Sequence, residues 1–278
     1  MTELITSLEQ LHTVQLEALR EIDRVCRLHN IRWFLHGGTL LGALRHGGPI
    51  PWDDDVDIAM FRSDYNRFIQ LALADLNPRF VLDDHRQDTE FFDFVPRITD
   101  TAYAYEPTAE YAEKFEMSHE NPDVDIFVFD SACTGLEDKL QSLRLKANTA
   151  QAMGHRKEID HDQFSGIAKI ASNVLPKMGR RKPLSALVDE REAIASWGGR
   201  NSRNLRICND IVPSMGFRYH RVWYEGERFI RFSGVRLPIP FNAEAEMCEV
   251  YGPTWRQLPA PEQRVPQHAN LKYTEAQK

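Results

Sequence analysis

Residues 37–60 read GGTLLGALRHGGPIPWDDDVDIAM, and this stretch places aspartates at positions 53, 54, 55 and 57. Carboxylates this close raise one another's pKa and destabilise a fold unless a counter-charge is present. An acidic run in a loop is often only a solvated turn, but here Ile50, Trp52, Val56 and Ile58 surround the acids. Hard oxygen ligands of this kind suit Mg²⁺ or Mn²⁺. The stretch therefore predicts a divalent-cation site.

The end of the stretch alternates polar with apolar residues, which is the period of a half-buried strand. Side chains two residues apart in a strand share a face. We therefore expect Asp55 and Asp57 to point together into a site, while Val56 points into the core. If the strand begins as early as Asp53, this parity adds Asp53 to the face and leaves Asp54 out of it.

A Gly-Gly turn precedes the short apolar helix predicted for residues 39–44. Backbone N–H groups at the start of a helix are suited to holding phosphate. We therefore predict that Gly37, Gly38 and Thr39 cradle phosphate groups through their N–H groups and the threonine hydroxyl. Metal-binding carboxylates beside a phosphate cradle indicate phosphoryl or nucleotidyl transfer.

The composition excludes several classes of protein. The net charge of −7 argues against a general nucleic-acid binder, which would carry a basic face. The 278 residues suffice for one large domain, and 42% hydrophobic residues are ordinary for a globular protein. No secretory signal and no apolar stretch of membrane-spanning length is visible. The four cysteines form no CxxC pair, so we expect reduced thiols in a cytoplasmic protein.

The remaining elements are predicted from hydrophobic periodicity. Predicted helices cover residues 3–29, 63–76 (capped by Ser63) and 243–251, and predicted strands cover residues 31–35, 55–60, 79–83, 94–99, 123–129, 205–209, 219–224, 228–232 and 235–239. Residues 103–120 are polar and aromatic, and a loop over the site is expected there. One compact domain spanning residues 1–278 is the prediction.

Two further segments bear on function. Residues 123–129 alternate at first, so Asp125 is expected to be the inward acid of a sheet strand, unless it is a strand-edge carboxylate. Residues from 137 to about 200 are predicted to form a helical insertion, with Pro176 and Pro183 breaking it into pieces. The basic run at 179–182 is typical of a solvated turn, and attraction to an anionic membrane surface or polymer is the alternative.

Several blocks of the chain, taken in order, resemble the LicD family. They are HGGTLLGALRH at 36–46, IPWDDDVDI at 50–58, MFRSDY at 60–65, VDIF at 124–127, and a final segment with Tyr251-Gly252, Leu258-Pro259, Arg264 and His268. Members of this family are phosphotransferases that act on cell-surface glycopolymers and are related to fukutin and fukutin-related protein. Val128 departs from the pattern, because the family usually has proline after the acidic strand.

The resemblance implies an α/β (α+β) fold of the nucleotidyltransferase type, in which helices flank a mixed sheet. It also implies a CDP-linked donor, such as CDP-choline or a CDP-alditol. The phosphorylated alcohol would move to a hydroxyl of a glycan or glycolipid, as in lipopolysaccharide, capsule or teichoic acid, and CMP would leave.

Site residues follow from the signature together with the resemblance. The expected metal ligands are carboxylates of the two acidic strands: Asp55, Asp57 and Asp125, with Asp53 as a nearby acid. Asp55, Asp57 and Asp125 are also the expected catalytic residues. Asp55 and Asp57 hold the metal ions, and Asp125 either joins them or acts as general base for the acceptor hydroxyl. The expected donor and phosphate contacts are Gly37, Gly38, Thr39, Arg45, Arg62, Arg97 and His268.

Two alternatives stay open at this point. A nucleotidyltransferase would use the same acids to attack an NTP and release pyrophosphate, and a non-catalytic glycan- or nucleotide-binding relative would keep only the fold. A dinucleotide-binding dehydrogenase is excluded, because GGTLLG lacks the third fingerprint glycine. The alcohol, the acceptor glycan, the number of metal ions, the oligomeric state and peripheral membrane association are left open.

Overall fold

The structure is a computed structural model that describes residues 2–84, 94–115, 118–155, 165–199, 202–209 and 214–271. Its α-helices are α1 Leu8–Leu28, α2 Gly37–His46, α3 Arg62–Arg67, α4 Ala109–Phe115, α5 Gly135–Ala152, α6 Gly166–Gly179, α7 Leu184–Ala195 and α8 Ala243–Tyr251. Its strands are β1 Glu3–Leu4, β2 Phe34–Leu35, β3 Asp57–Phe61, β4 Phe80–Asp83, β5 Arg97–Asp100, β6 Tyr103–Ala104, β7 Asp123–Ser131, β8 Asn204–Ile207, β9 Tyr219–His220, β10 Arg228–Phe232 and β11 Val235–Ile239. The predicted α/β class is confirmed.

Backbone contacts divide the chain into two compact units. Unit 1 comprises Met1–Leu82, Arg97–Ile126 and Trp223–Lys278, and unit 2 comprises Asp83–Pro96 and Phe127–Val222. The helical insertion predicted for residues 137–200 lies in unit 2, as α5, α6 and α7.

The sheet of unit 1 has the strand order β2-β3-β7-β5-β4. Strand β2 runs antiparallel to β3, with Phe34 opposite Ala59. Strand β5 runs antiparallel to β7, with Arg97 opposite Asp125. Because β3 and β7 are neighbours in this order, their acidic residues come close together in one sheet.

Helix α1 supports this sheet with an apolar stripe that includes Leu11, Leu19 and Ile22, all fully buried. The helix begins at Leu8 and not at residue 3, because the Ser7 side chain accepts the N–H of Gln10 and caps the first turn.

Three local predictions were wrong. Ser63 is not a helix cap, since β3 runs straight into α3 and Phe61 takes the cap position. Pro176 does not break the helical region, because it lies inside α6, and the break falls at Pro183 before α7. The segment predicted as a loop over 103–120 contains β6 and α4.

Unit 2 contains the last residues of β7, paired antiparallel with β8, which pairs in turn with β9. Its core includes two buried arginines, Arg206 on β8 and Arg191 on α7. Arg206 is fully buried and donates to Gln141 Oε1 at 2.7 Å, and Arg191 donates to the carbonyl oxygen of Cys208 at 2.6 Å. Within the described residues, no helix is both long and apolar enough to cross a membrane.

Candidate active site

Two carboxylates lie against the first turn of α2. Gly37 has φ +52, and a Cβ on it would lie 2.6 Å from Oδ2 of Asp57. A Cβ on Gly38 would lie 2.9 Å from Oδ2 of Asp53. The first N–H groups of a helix have no partner within the helix, and they favour negative charge through the helix dipole. The two glycines therefore let the carboxylates approach the first turn of the helix closely.

The acids of this loop carry more negative charge than the site can balance. Burial, with added repulsion from Asp55 and Asp54, raises the pKa of Asp53 to about 8. Burial also raises the pKa of Asp55, which is hydrogen-bonded to Asp53. The pKa of the Tyr251 phenol is raised by burial of the hydroxyl end and then by the charges of Asp57, Asp53 and Asp55, so the phenol lies within electrostatic range of the same acids.

A divalent cation fits this set of donors. Among the described residues, no three Asp, Glu, His or Cys side chains converge into a closed metal centre. Mg²⁺ does not require one, because it is usually bound through one or two carboxylates together with substrate phosphates and water. The paired Asp53 and Asp55 carboxylates, with Asp57 beside them, supply oxygens of the kind that Mg²⁺ prefers.

Asp54 points away from this cluster, towards the C-terminal segment. Its Oδ2 accepts the backbone N–H groups of His268 at 2.7 Å and Ala269 at 2.6 Å, and its Oδ1 lies 3.0 Å from His268 Nδ1. This hydrogen bond raises the pKa of His268 to about 9, so the pair is ionic at neutral pH. His268, predicted to contact phosphate, thus has a carboxylate as its observed partner, and the phosphate role stays a prediction.

Helix α1 holds the backbone of the acidic loop. Nε2 of His12 lies 2.7 Å from the Asp53 carbonyl oxygen, and Gln15 Nε2 donates to the Asp54 carbonyl oxygen at 3.0 Å. These contacts engage the carbonyls of Asp53 and Asp54, and β3 begins at Asp57. The condition for the parity argument at Asp53 is therefore not met, although Asp53 does contact Asp55.

Thr39 is buried, and its hydroxyl accepts the backbone N–H of Asp57 at 2.8 Å. This contact ties the start of β3 to the first turn of α2. It positions Asp57, and the predicted contact between the Thr39 hydroxyl and phosphate stays a prediction.

A second acidic face lies on β7. Arg97 Nε donates to Oδ1 of Asp125 at 2.7 Å and lies 3.6 Å from Oδ2 of Asp123. Burial raises the pKa of Asp123 well above its usual range, and Asp55 is among the acids that add to this effect. The contacts that Arg97 makes at the site are therefore with these two carboxylates. Asp123 was not identified from the sequence as a site residue. It lies two positions before Asp125 in the same strand, so the two side chains share a face, and this spacing could have indicated it.

The other two predicted arginines lie in different places. Arg45 Nη1 donates to the Gln257 carbonyl oxygen at 3.2 Å, and burial lowers its pKa against the opposing effect of Asp53. Arg62 follows the far end of β3, and its guanidinium lies 5.6 Å from the Tyr65 ring centroid. A strand rise of about 3.3 Å per residue puts Arg62 on the order of 15 Å from Asp57. Arg45 lies within electrostatic range of Asp53, and the phosphate contacts predicted for Arg45 and Arg62 stay predictions.

A buried network supports the start of α2. Glu246 of α8 is fully buried, accepts the Tyr224 hydroxyl at 2.8 Å and lies 3.5 Å from His36 Nδ1. His36 is the residue that caps α2 immediately before Gly37. Nothing in the local sequence indicated Glu246 or Tyr251 as neighbours of the site, since α8 lies about two hundred residues downstream of α2.

Half-buried carboxylates thus lie at the first turn of a helix in an α/β fold, an arrangement whose helix start is suited to phosphate. Residues 30–132 match the family described as "LicD/FKTN/FKRP, nucleotidyltransferase domain". This region therefore matches the LicD family domain, and the predicted relationship to the LicD family is confirmed.

Curated relatives match shorter parts of the chain. The lipopolysaccharide cholinephosphotransferase LicD of Haemophilus influenzae is 38% identical over 74 residues, which are 27% of this chain and 28% of that protein. The ribitol 5-phosphate transferases FKRP of mouse and human are each 45% identical over 64 residues, 22% of this chain and 13% of those proteins. The alignments therefore span less than a third of each of these relatives.

Proposed function

We propose that this protein is a metal-dependent phosphotransferase that moves a phosphorylated alcohol from a CDP-linked donor to a hydroxyl group of a glycan. The observation that carries the proposal is the placement of the Asp53 and Asp57 carboxylates against Gly38 and Gly37. A helix start favours phosphate, and crowded carboxylates favour a divalent cation, so one small volume suits both. The relatives named above are a cholinephosphotransferase and ribitol 5-phosphate transferases, which supports this class of reaction.

The reaction needs little covalent participation by the protein. The acceptor hydroxyl oxygen attacks the phosphorus that bears the alcohol, the bond from that phosphorus to the bridging oxygen breaks, and CMP leaves with the bridging oxygen. A bound Mg²⁺, held by Asp53, Asp55 and Asp57, would neutralise charge on the phosphate oxygens. The first N–H groups of α2 orient the donor phosphates, and positioning of this kind supplies most of the rate in phosphoryl transfer.

The acceptor proton passes to a carboxylate on the face of β7. Asp125 is the proposed base, and its Arg97 partner holds the carboxylate in place at 2.7 Å. Asp123 shares that face, and its raised pKa makes it the second candidate. Asp125→Asn and Asp123→Asn separate the two, because only loss of the true base removes the acidic limb of the pH–rate profile.

Calorimetric titration of the full chain with CDP, in Mg²⁺ and then in EDTA, tests the donor assignment. UDP and ATP are the comparators. The proposal expects Mg²⁺-dependent binding with preference for CDP, followed by CMP release when CDP-choline and CDP-alditols are offered with a glycan acceptor. Absence of nucleotide binding in the presence of metal would contradict the proposal.

The description of the matched family as a nucleotidyltransferase domain favours one other reaction. In that case the acceptor attacks the α-phosphorus of an NTP and pyrophosphate leaves. Preferential binding of ATP or another NTP, with pyrophosphate release, would select this reaction over the CDP-linked one.

A further inference from the structure

Helix α6 has the reverse of the usual burial pattern. A surface helix normally buries its large apolar residues against the core. In α6, Ser172 and Pro176 are buried, whereas three large apolar residues are exposed: Ile170 at 67%, Val174 at 50% and Met178 at 48%. Their spacing of four residues places them along one side of the helix, here called the apolar stripe of α6.

The buried side of α6 is fixed by close glycine contacts. A Cβ on Gly179 would lie 1.9 Å from the Gln151 carbonyl oxygen, and a Cβ on Gly154 would lie 2.1 Å from the Pro176 carbonyl oxygen. Only glycine permits this approach at both positions. The small-residue side of α6 therefore packs against the end of α5 and the turn that follows it, and the helix cannot rotate to bury its stripe without losing these contacts.

The charge around the stripe is one-sided. Residues 165–183 read SGIAKIASNVLPKMGRRKP, with five basic residues and no acidic one, in a chain whose net charge is −7. Lys169 and Lys177 each precede a stripe residue, and both are exposed. Arg180 and Arg181 are exposed just beyond the end of the helix, and Lys182 pairs with Glu190 at 2.8 Å.

Helix α5 carries a second exposed apolar row. Leu136 is 81% exposed, Leu140 49% and Leu143 64%, at positions that fall on one side of that helix. Large exposed apolar patches usually mark interaction sites, so two exposed apolar rows on neighbouring helices point to a surface with a partner.

These observations select an anionic lipid surface. A helix with an exposed apolar side and flanking Lys and Arg residues lies in the plane of a membrane interface, with its apolar side in the acyl boundary and its cations among the headgroups. The 14 residues of α6 span roughly 21 Å, too short to cross a bilayer. A second copy of this chain would bring the same five cations together, which is unfavourable. We propose that the apolar stripe of α6 docks this protein on an anionic membrane surface.

Co-sedimentation of the full chain with vesicles tests the proposal. Vesicles of phosphatidylcholine alone and of phosphatidylcholine mixed with phosphatidylglycerol are compared at low and high NaCl. Binding is expected only with the anionic vesicles and is expected to weaken as salt screens the cations. Binding to neither vesicle, or equal binding to both, would overturn the proposal.

Two variants and a matched control locate the surface. The triple variant I170S/V174S/M178S is expected to lose vesicle binding, and K169Q/K177Q/R181Q is expected to weaken it about fivefold per cation removed. The control L71S removes a side chain of unit 1 that is 45% exposed, and it should bind as the parent does. Circular dichroism verifies that each variant is folded.

The oligomeric state tests whether the stripe is instead a contact between two copies of the chain. Size-exclusion chromatography showing a dimer that the triple variant cannot form would identify the stripe as a contact between copies and overturn the membrane assignment. Vesicle binding does not depend on the donor nucleotide, so failure of this test and failure of the proposed phosphotransfer can be told apart.

Discussion

Replacing Gly37 by alanine tests whether the Asp57 carboxylate must lie against the first turn of α2. Gly37 has φ +52, a left-handed conformation that costs other residues about 1–2 kcal/mol. The new Cβ would lie 2.6 Å from Asp57 Oδ2, whereas ordinary contact begins at 3.4 Å. The carboxylate must therefore move, and displacement of a catalytic group by about 1 Å costs on the order of 10²-fold in rate.

Gly47 offers a matched control at the other end of the same helix. It also has a left-handed backbone, with φ +71, and a Cβ there would meet no atom within 4 Å. Gly47→Ala should therefore carry the same loss of about 1–2 kcal/mol in the free energy of unfolding without disturbing any carboxylate. Urea unfolding measures the stability of both variants, and calorimetric titration with Mn²⁺ and CDP measures their binding.

The expected result is a similar loss of stability in both variants, with metal-dependent binding and turnover lost only in Gly37→Ala. If Gly37→Ala kept parental binding and turnover, or if Gly47→Ala lost them equally, the carboxylate geometry described for this site would not be what the reaction requires.

Neighbouring acids should respond in opposite ways. Asp54→Asn is expected to lower the free energy of unfolding by about 2–3 kcal/mol, because the carboxylate accepts two backbone N–H groups and pairs with His268, and folded molecules should keep their turnover. Asp55→Asn and Asp57→Asn should abolish turnover, and retained turnover in either variant would refute the metal assignment. Asp55→Asn should also raise the melting temperature of the metal-free protein, because burial raises the pKa of Asp55. The control is Asp189→Asn, at an exposed position. The stability lost in His268→Gln should depend on pH: the pKa of His268 is raised from 6.5 to about 9, so the stabilisation is complete below 6.5 and disappears as the pH rises through about 9. Urea unfolding of both proteins across that range checks the sign, and a constant difference would contradict the ion pair.

Much of the fold could be predicted locally. The helix 243–251 and the strands 228–232 and 235–239 were predicted with the bounds that the structure has, because hydrophobic period and turn residues lie within each element. Element ends were less predictable: side chains of α1 bind the carbonyls of Asp53 and Asp54 ahead of β3, and α3 follows β3 without a polar cap.

The candidate site shows the same division. The acidic loop and the helix start that follows Gly-Gly were visible in one short stretch of sequence. Asp123, Tyr251 and Glu246 were not identified as neighbours of the site. Each of these depends on which elements the fold brings together, and local periodicity carries no information about that.

By itself, the sequence determined that an acidic cluster follows a glycine-rich helix start and that an alternating strand carries a second acidic face, because backbone periodicity dictates which neighbours share a side. Only the tertiary structure decided that Asp54 turns away from Asp53 and Asp55. The partner of Asp54 is His268, which lies 214 positions further along the chain. The tertiary structure also decided that α6 exposes its apolar stripe, because close packing at Gly154 and Gly179 determines which side of that helix is buried. The direction of a side chain outside a strand ladder is set by long-range partners, and these exist only once the chain has folded.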